Sequence, residues 1–144
     1  MEDGARPGAG DPGAVNADVQ QRVDDVLASI PGGHQVSATE IDYDGLTVTV
    51  DPNYSANQSA VAPANISCGV GHFCIVVSGT AFDFFTCTTW DLSNWFGSSP
   101  FNNNQTGHVT ARAWNQDFSQ VVFSNTAPSS GTVDVTPWWH FRPC

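Results

Sequence analysis

The chain has 144 residues, enough for one domain with a real core, or for a small domain plus an extension. Only 12% of the residues are charged, with no lysine, four arginines (Arg6, Arg22, Arg112, Arg142) and 14 acids, so the formal net charge is −10. Phosphate binding relies on clustered Lys and Arg, which excludes nucleic acid and anionic membrane as partners and admits a basic one.

The start, MEDGARPGAGDPG, lacks the basic and then apolar stretch of a secretory leader, and the chain is expected to be the mature form of a secreted protein. Residues 1–13 are rich in Gly, Pro and Asp and predict a disordered tail. From Ala14 to Ile30, the positions Val15, Val19, Val23, Val26, Leu27 and Ile30 recur at helical spacing, and Pro31-Gly32-Gly33 stops the pattern. Asn16 or Asp18 is the expected cap. The apolar stripe of this helix needs a cover. Docking on the chain's own β-structure is one expectation; a contact between protomers in a homo-oligomer is the other.

A β-hairpin follows over residues 35–51, with Asp44-Gly45 as its turn and Leu46, Val48 and Val50 alternating with threonines. Helix and hairpin form an extension over 14–51, and the Pro-, Ser- and Asn-rich residues 52–65 form a linker. A β-domain is expected over 66–144, with strands near 72–78, 83–89, 108–114, 119–124, 131–136 and 138–142. It contains an internal repeat. Cys74 to Thr88 (CIVVSGTAFDFFTCT) and Thr110 to Ser124 (TARAWNQDFSQVVFS) each read as strand, polar turn, aromatic (Phe82, Phe118) and second strand. Each is introduced by a histidine, His72 or His108, at the same offset. Between them, Trp90, Leu92, Trp95, Phe96 and Phe101 make an aromatic segment, read as a core lid rather than an exposed binding platform.

Chemistry is sparse. His34, His72, His108 and His140 show no HxxxH or HxH spacing, and no G-x-S-x-G element occurs. Glu40, Asp42 and Asp44 sit on a hairpin that a DYDG turn already explains. No catalytic set, metal site or cofactor is expected, and the chain reads as a non-enzyme. Cys68, Cys74, Cys87 and Cys144 are separated by 5, 12 and 56 residues, a spacing that suits two disulfides in an oxidising compartment better than zinc.

The strings C68-GVGHF-C74-IVVSGTAF82, C87-TTWDLSNWFG97 and NNQTGHVTARAW114 together resemble the actinobacterial secreted proteins of the streptomycete metalloprotease-inhibitor family. The upstream PGGHQVSATEIDYDG is similar to the region that precedes such domains. The resemblance covers residues 31–51 and 66–124; the last twenty residues match loosely. It implies a mainly β fold: a two-motif Greek-key βγ-crystallin-like sandwich, preceded here by the N-terminal helix and hairpin. It also implies a secreted inhibitor of an extracellular metalloprotease, binding one protein partner. Four cysteines allow three pairings, and Cys68–Cys74 with Cys87–Cys144 is the one expected. The first would close a short Gly-containing loop and the second would tie the chain end to the first hairpin.

A stapled loop makes a rigid ligand, so the expected contact residues are Gly69, Val70, Gly71, His72 and Phe73, with Asn102, Asn103 and Asn104 from a loop over Ser98 to Gly107. The glycine of the family pattern after the hairpin aromatic is replaced by Asp83 in the first repeat and Gln120 in the second. The run Asn102 to Gly107 carries no carboxylate, so no calcium site is expected. Two other readings stand beside inhibition: an assembly protein joined through its helix and hairpin, and a toxin-like or cell-surface binding module.

Overall fold

The computed structural model describes residues 12–52 and 67–144, with side chains from residue 17 in the first stretch. But for residues 12, 13 and 52, the tail expected over 1–13 and the linker over 52–65 lie outside the described residues, as does the Val15 side chain. Helix α1 spans Pro12–Ser29. Proline suits a first helical turn, where its missing N–H has no partner to lose. The early start places Asn16 and Asp18 inside the helix rather than at its cap. Val19, Val23 and Ile30 are buried, with Val26 and Leu27 partly so.

Among the described residues eleven strands follow: β1 (His34–Gln35), β2 (Glu40–Tyr43), β3 (Leu46–Val50), β4 (His72–Val77), β5 (Thr80–Phe84), β6 (Trp90–Asp91), β7 (Ser98–Asn104), β8 (Thr110–Trp114), β9 (Val121–Thr126), β10 (Ser129–Asp134) and β11 (His140–Arg142). They make two antiparallel sheets. One has the order β1-β2-β3-β5-β4-β7-β10 and the other β6-β11-β8-β9. The expected hairpin forms as β2 and β3, closed by Asp44-Gly45 with Tyr43 opposite Leu46. It is not set apart from the rest, because β3 pairs with β5 and extends the larger sheet.

Strands β8 to β11 repeat the arrangement of β4 to β7 with an exchange. Strands β4, β5 and β7 lie together in the larger sheet, and β8, β9 and β11 lie together in the smaller one. The third strand of each run of four, β6 or β10, lies in the other run's sheet: β6 pairs with β11, and β10 pairs with β7.

The repeat is less regular than its sequence. The first hairpin turns on Ser78 and Gly79, both at positive φ (48° and 78°), which is the two-residue turn that matches strand twist. This tight turn starts β5 at Thr80, three residues before the expected 83. In the second hairpin residues 115–120 form a longer loop. Asn115 N–H donates to Gln120 O at 3.1 Å, and Gln120 N–H donates to Asn115 Oδ1 at 3.0 Å. Phe82 is therefore a buried strand residue, whereas Phe118 is a loop residue, exposed and at φ 61°. Likewise His72 opens β4, but His108 sits in a turn at φ 54° rather than in a strand. Strands β8, β9 and β11 begin two residues later than expected, and β10 two residues earlier.

The larger correction concerns Ser98 to Asn104, expected as loop and found as β7, inside the seven-stranded sheet. SSPFNNN has low strand propensity, and proline cannot serve a two-sided ladder. Tertiary pairing overrides both. The β4–β7 ladder runs only from His72↔Asn104 to Ile75↔Phe101, so Pro100 lies beyond it. Asn103 is fully buried, but its Nδ2 donates to Asn125 O at 3.2 Å and Asn125 Oδ1 at 3.1 Å.

The core lies between the sheets. Phe73, Ile75, Phe82, Phe84 and Phe101 face Ala111, Ala113, Phe123, Trp138 and Phe141. Phe73 and Phe84 each lie 4.8 Å from Phe141, centroid to centroid. The aromatic segment joins this core in part: Leu92 and Trp95 are buried, while Phe96 is 62% exposed. The seven-stranded sheet is wider than its four-stranded partner, and α1 packs on the remainder. Tyr43 fixes the helix end, its Oη donating to Ile30 O at 2.7 Å. Burial pushes the Tyr43 phenol up to about 12. Gly33 is required there, because an added Cβ would come within 2.5 Å of the Tyr43 ring.

Candidate functional site

Two cysteine pairs are at disulfide distance, Cys68–Cys74 with Cα atoms 5.7 Å apart and Cys87–Cys144 with 5.4 Å, as the sequence analysis expects. Such bonds persist in oxidising surroundings. Among the described residues no helix is long and apolar enough to cross a membrane.

The first disulfide closes a ring over residues 68–74, and the backbone pins it further. His72 N–H donates to Gly69 O at 3.1 Å, and Gly71 N–H donates to Asn104 O at 2.8 Å. Asn104 Nδ2 donates to Cys68 O at 2.8 Å. The two expected contact segments, 69–73 and 102–104, are thus neighbours, joined by the β4–β7 ladder. They do not all face solvent. Phe73 and Asn103 are fully buried and belong to the core. Gly69, Val70 and Gly71 are exposed, and His72, Asn102 and Asn104 are half-buried. Val70, at the tip, is 75% exposed, the most of any large apolar side chain described.

Sequence reasoning missed two members of this surface. Asp83, on β5, accepts from His72 Nδ1 at 2.6 Å. Phe85, just past β5, packs on the His72 ring with centroids 5.4 Å apart and is itself 45% exposed. Cross-strand neighbours eleven residues apart leave no local signal. Asp83 thus acts as an acceptor that orients His72.

A second histidine pair lies on the other sheet. His140 Nδ1 is 2.8 Å from Asp91 Oδ1, and its Nε2 donates to Gln116 O at 2.9 Å. The ring stacks on Phe118 at 3.7 Å. Both nitrogens are engaged, so this imidazole is held as a brace between β6, β11 and the 115–120 loop. Asp117 in that loop is lowered below the usual carboxylate range by its hydrogen bonds from Ser119. His34 is exposed, and no group of three or more potential metal-ligating side chains occurs among the described residues.

A groove of about 920 Å³ opens between α1, the β4–β5 turn and residues 93–96. Comparison with protein-family models, with curated proteins and with solved structures gives no match.

Proposed function

We propose that this chain is a secreted, non-enzymatic protein that binds a protein partner through the 68–74 ring, with an extracellular metalloprotease as the first partner class. The observation that carries the reading is Val70. It is an apolar side chain presented at the tip of a ring pinned by a disulfide and by Asn104. Ordering a loop before binding removes a cost that a flexible loop would meet on association. His72, in the same ring, packs on the exposed Phe85 and adds aromatic and polar surface.

The crystallin-like Greek-key reading draws support from the strand exchange, in which β6 and β10 each complete the other half's sheet. Secretion draws support from the cysteine pairs. The assembly reading loses its main support, since the apolar stripe of α1 is covered by the chain's own sheet.

The test is titration against thermolysin-like, subtilisin-like and trypsin-like enzymes at micromolar concentration. Stoichiometric 1:1 inhibition of the thermolysin-like enzyme is expected. Val70→Asp should weaken it by about tenfold or more, the loss of one central apolar anchor, with an unchanged melting temperature. Absence of inhibition across the panel, with a stable homo-oligomer on a sizing column, would favour self-assembly instead.

A further inference from the structure

The groove beside α1 has an origin in the layer widths. Seven strands face four, so at about 4.8 Å per strand roughly 14 Å of sheet is left uncovered, and a helix about 10 Å across does not fill it. The remaining gap has a floor of Val77, Thr80, Phe82 and Trp95 from the inner face. Phe96 lines the wall formed by residues 93–96 and is 62% exposed. The helix wall carries Asp18 and Asp25, both exposed. They are seven residues apart on one helix, so they project on the same side, about 10 Å from each other. Between them Arg22 turns its guanidinium to the carbonyl oxygens of Asp51 (2.6 Å) and Gly79 (3.1 Å) at the end of the groove.

We propose that this groove binds lysine or arginine side chains of a basic protein segment. Aromatic rings opposite carboxylates favour a ligand that is both apolar-stemmed and cationic. The stem would lie between half-buried Val26 and exposed Phe96, and the charged head would reach the carboxylates at the rim. The volume, about 920 Å³, suits one or two such side chains with their backbone. The chain's net charge of −10 favours approach of a basic partner. A second copy is a poor occupant, because its own net charge of −10 is repelled by the acidic helix wall. The site is separate from the 68–74 ring and does not depend on protease inhibition.

The test uses a fluorescein-labelled, capped hexapeptide of alternating arginine and leucine, and its citrulline analogue, read by fluorescence anisotropy. The arginine peptide should bind about tenfold more tightly, as two exposed ion pairs and a ring contact would give, and salt should weaken it. The double variant Asp18→Asn/Asp25→Asn should abolish the preference for arginine over citrulline while retaining the native melting temperature. Phe96→Ala should weaken both peptides. Val70→Asp should bind as the native protein does; loss of binding in that variant would place the peptide on the 68–74 ring and overturn the proposal. Equal binding of the two peptides, no binding of either, or displacement by a neutral oligosaccharide would also overturn it.

Discussion

Phe73→Ala tests whether the two sheets are held by one aromatic core. Phe73 is fully buried on β4. Its ring stacks on Phe101 of the same sheet at 5.8 Å and meets Phe141 and Phe123 of the other sheet at 4.8 and 6.3 Å. Truncation removes contacts to both sheets and leaves a cavity lined by rigid rings that cannot collapse into it. Phenylalanine truncations in such cores cost about 3–5 kcal/mol, a large part of the roughly 5–15 kcal/mol that a domain has. For a urea slope near 1.5 kcal/mol/M, the midpoint should fall by roughly 2–3 M. The assay is urea unfolding followed by tryptophan fluorescence, with the disulfides kept oxidised. Phe118→Ala is the control. That ring is 51% exposed and meets His140 and Trp114 on the outer face of the smaller sheet, outside the aromatic core, so its loss should cost about 1 kcal/mol. Equal midpoints for the two variants would refute the reasoning.

Two further outcomes follow from the same geometry. Replacing Cys87 and Cys144 by alanine opens a loop of sequence separation 57, and replacing Cys68 and Cys74 opens one of separation 6. Loop-closure entropy assigns about 4 and about 2 kcal/mol to the two bonds, so guanidinium unfolding should show the first pair as the more damaging to lose; the reverse order would argue that the ring is the structural element. Tyr43 should ionise only near pH 12, later than an ordinary phenol at 10.0, which an absorbance titration at alkaline pH can follow against Tyr43→Phe. Because the folded state holds that proton more tightly, stability should fall as pH rises from about 10 to about 12, and this fall should be missing in Tyr43→Phe. A Tyr43 phenol titrating near 10 in a still-folded protein would show that its ring is not held under the helix end.

Legibility in the sequence follows the range of the interaction. The helix stripe of Val19, Val23 and Ile30, the Asp44-Gly45 turn and the alternation of Leu46, Val48 and Val50 are local patterns, and each is where its pattern places it. Strand β7 is the opposite case. Its proline and three asparagines read as loop, and only backbone pairing with strands distant in sequence, to Phe73 and His72 on β4 and to Ser129 on β10, makes Asn103 and Asn104 part of a sheet. The repeat misleads in a different way. Similar strings at Phe82 and Phe118 take different roles because one hairpin closes in two residues and the other in six.

The candidate surfaces follow the same logic. The 68–74 ring could be named from sequence because its two ends are six residues apart. That Phe73 and Asn103 turn inward could not, since strand alternation needs the register, and the register comes from pairing with Asn103↔Phe73 itself. The groove is further out of reach. Its walls come from α1 and from residues 93–96, and its existence depends on the mismatch between a seven-stranded and a four-stranded layer. No segment alone carries that mismatch. It arises because β1 to β3 add to one edge of a sheet whose facing layer has no corresponding addition. The N-terminal extension therefore enlarges the core with Val19, Val23 and Ile30, and leaves the opening beside it where Asp18, Asp25 and Phe96 meet solvent.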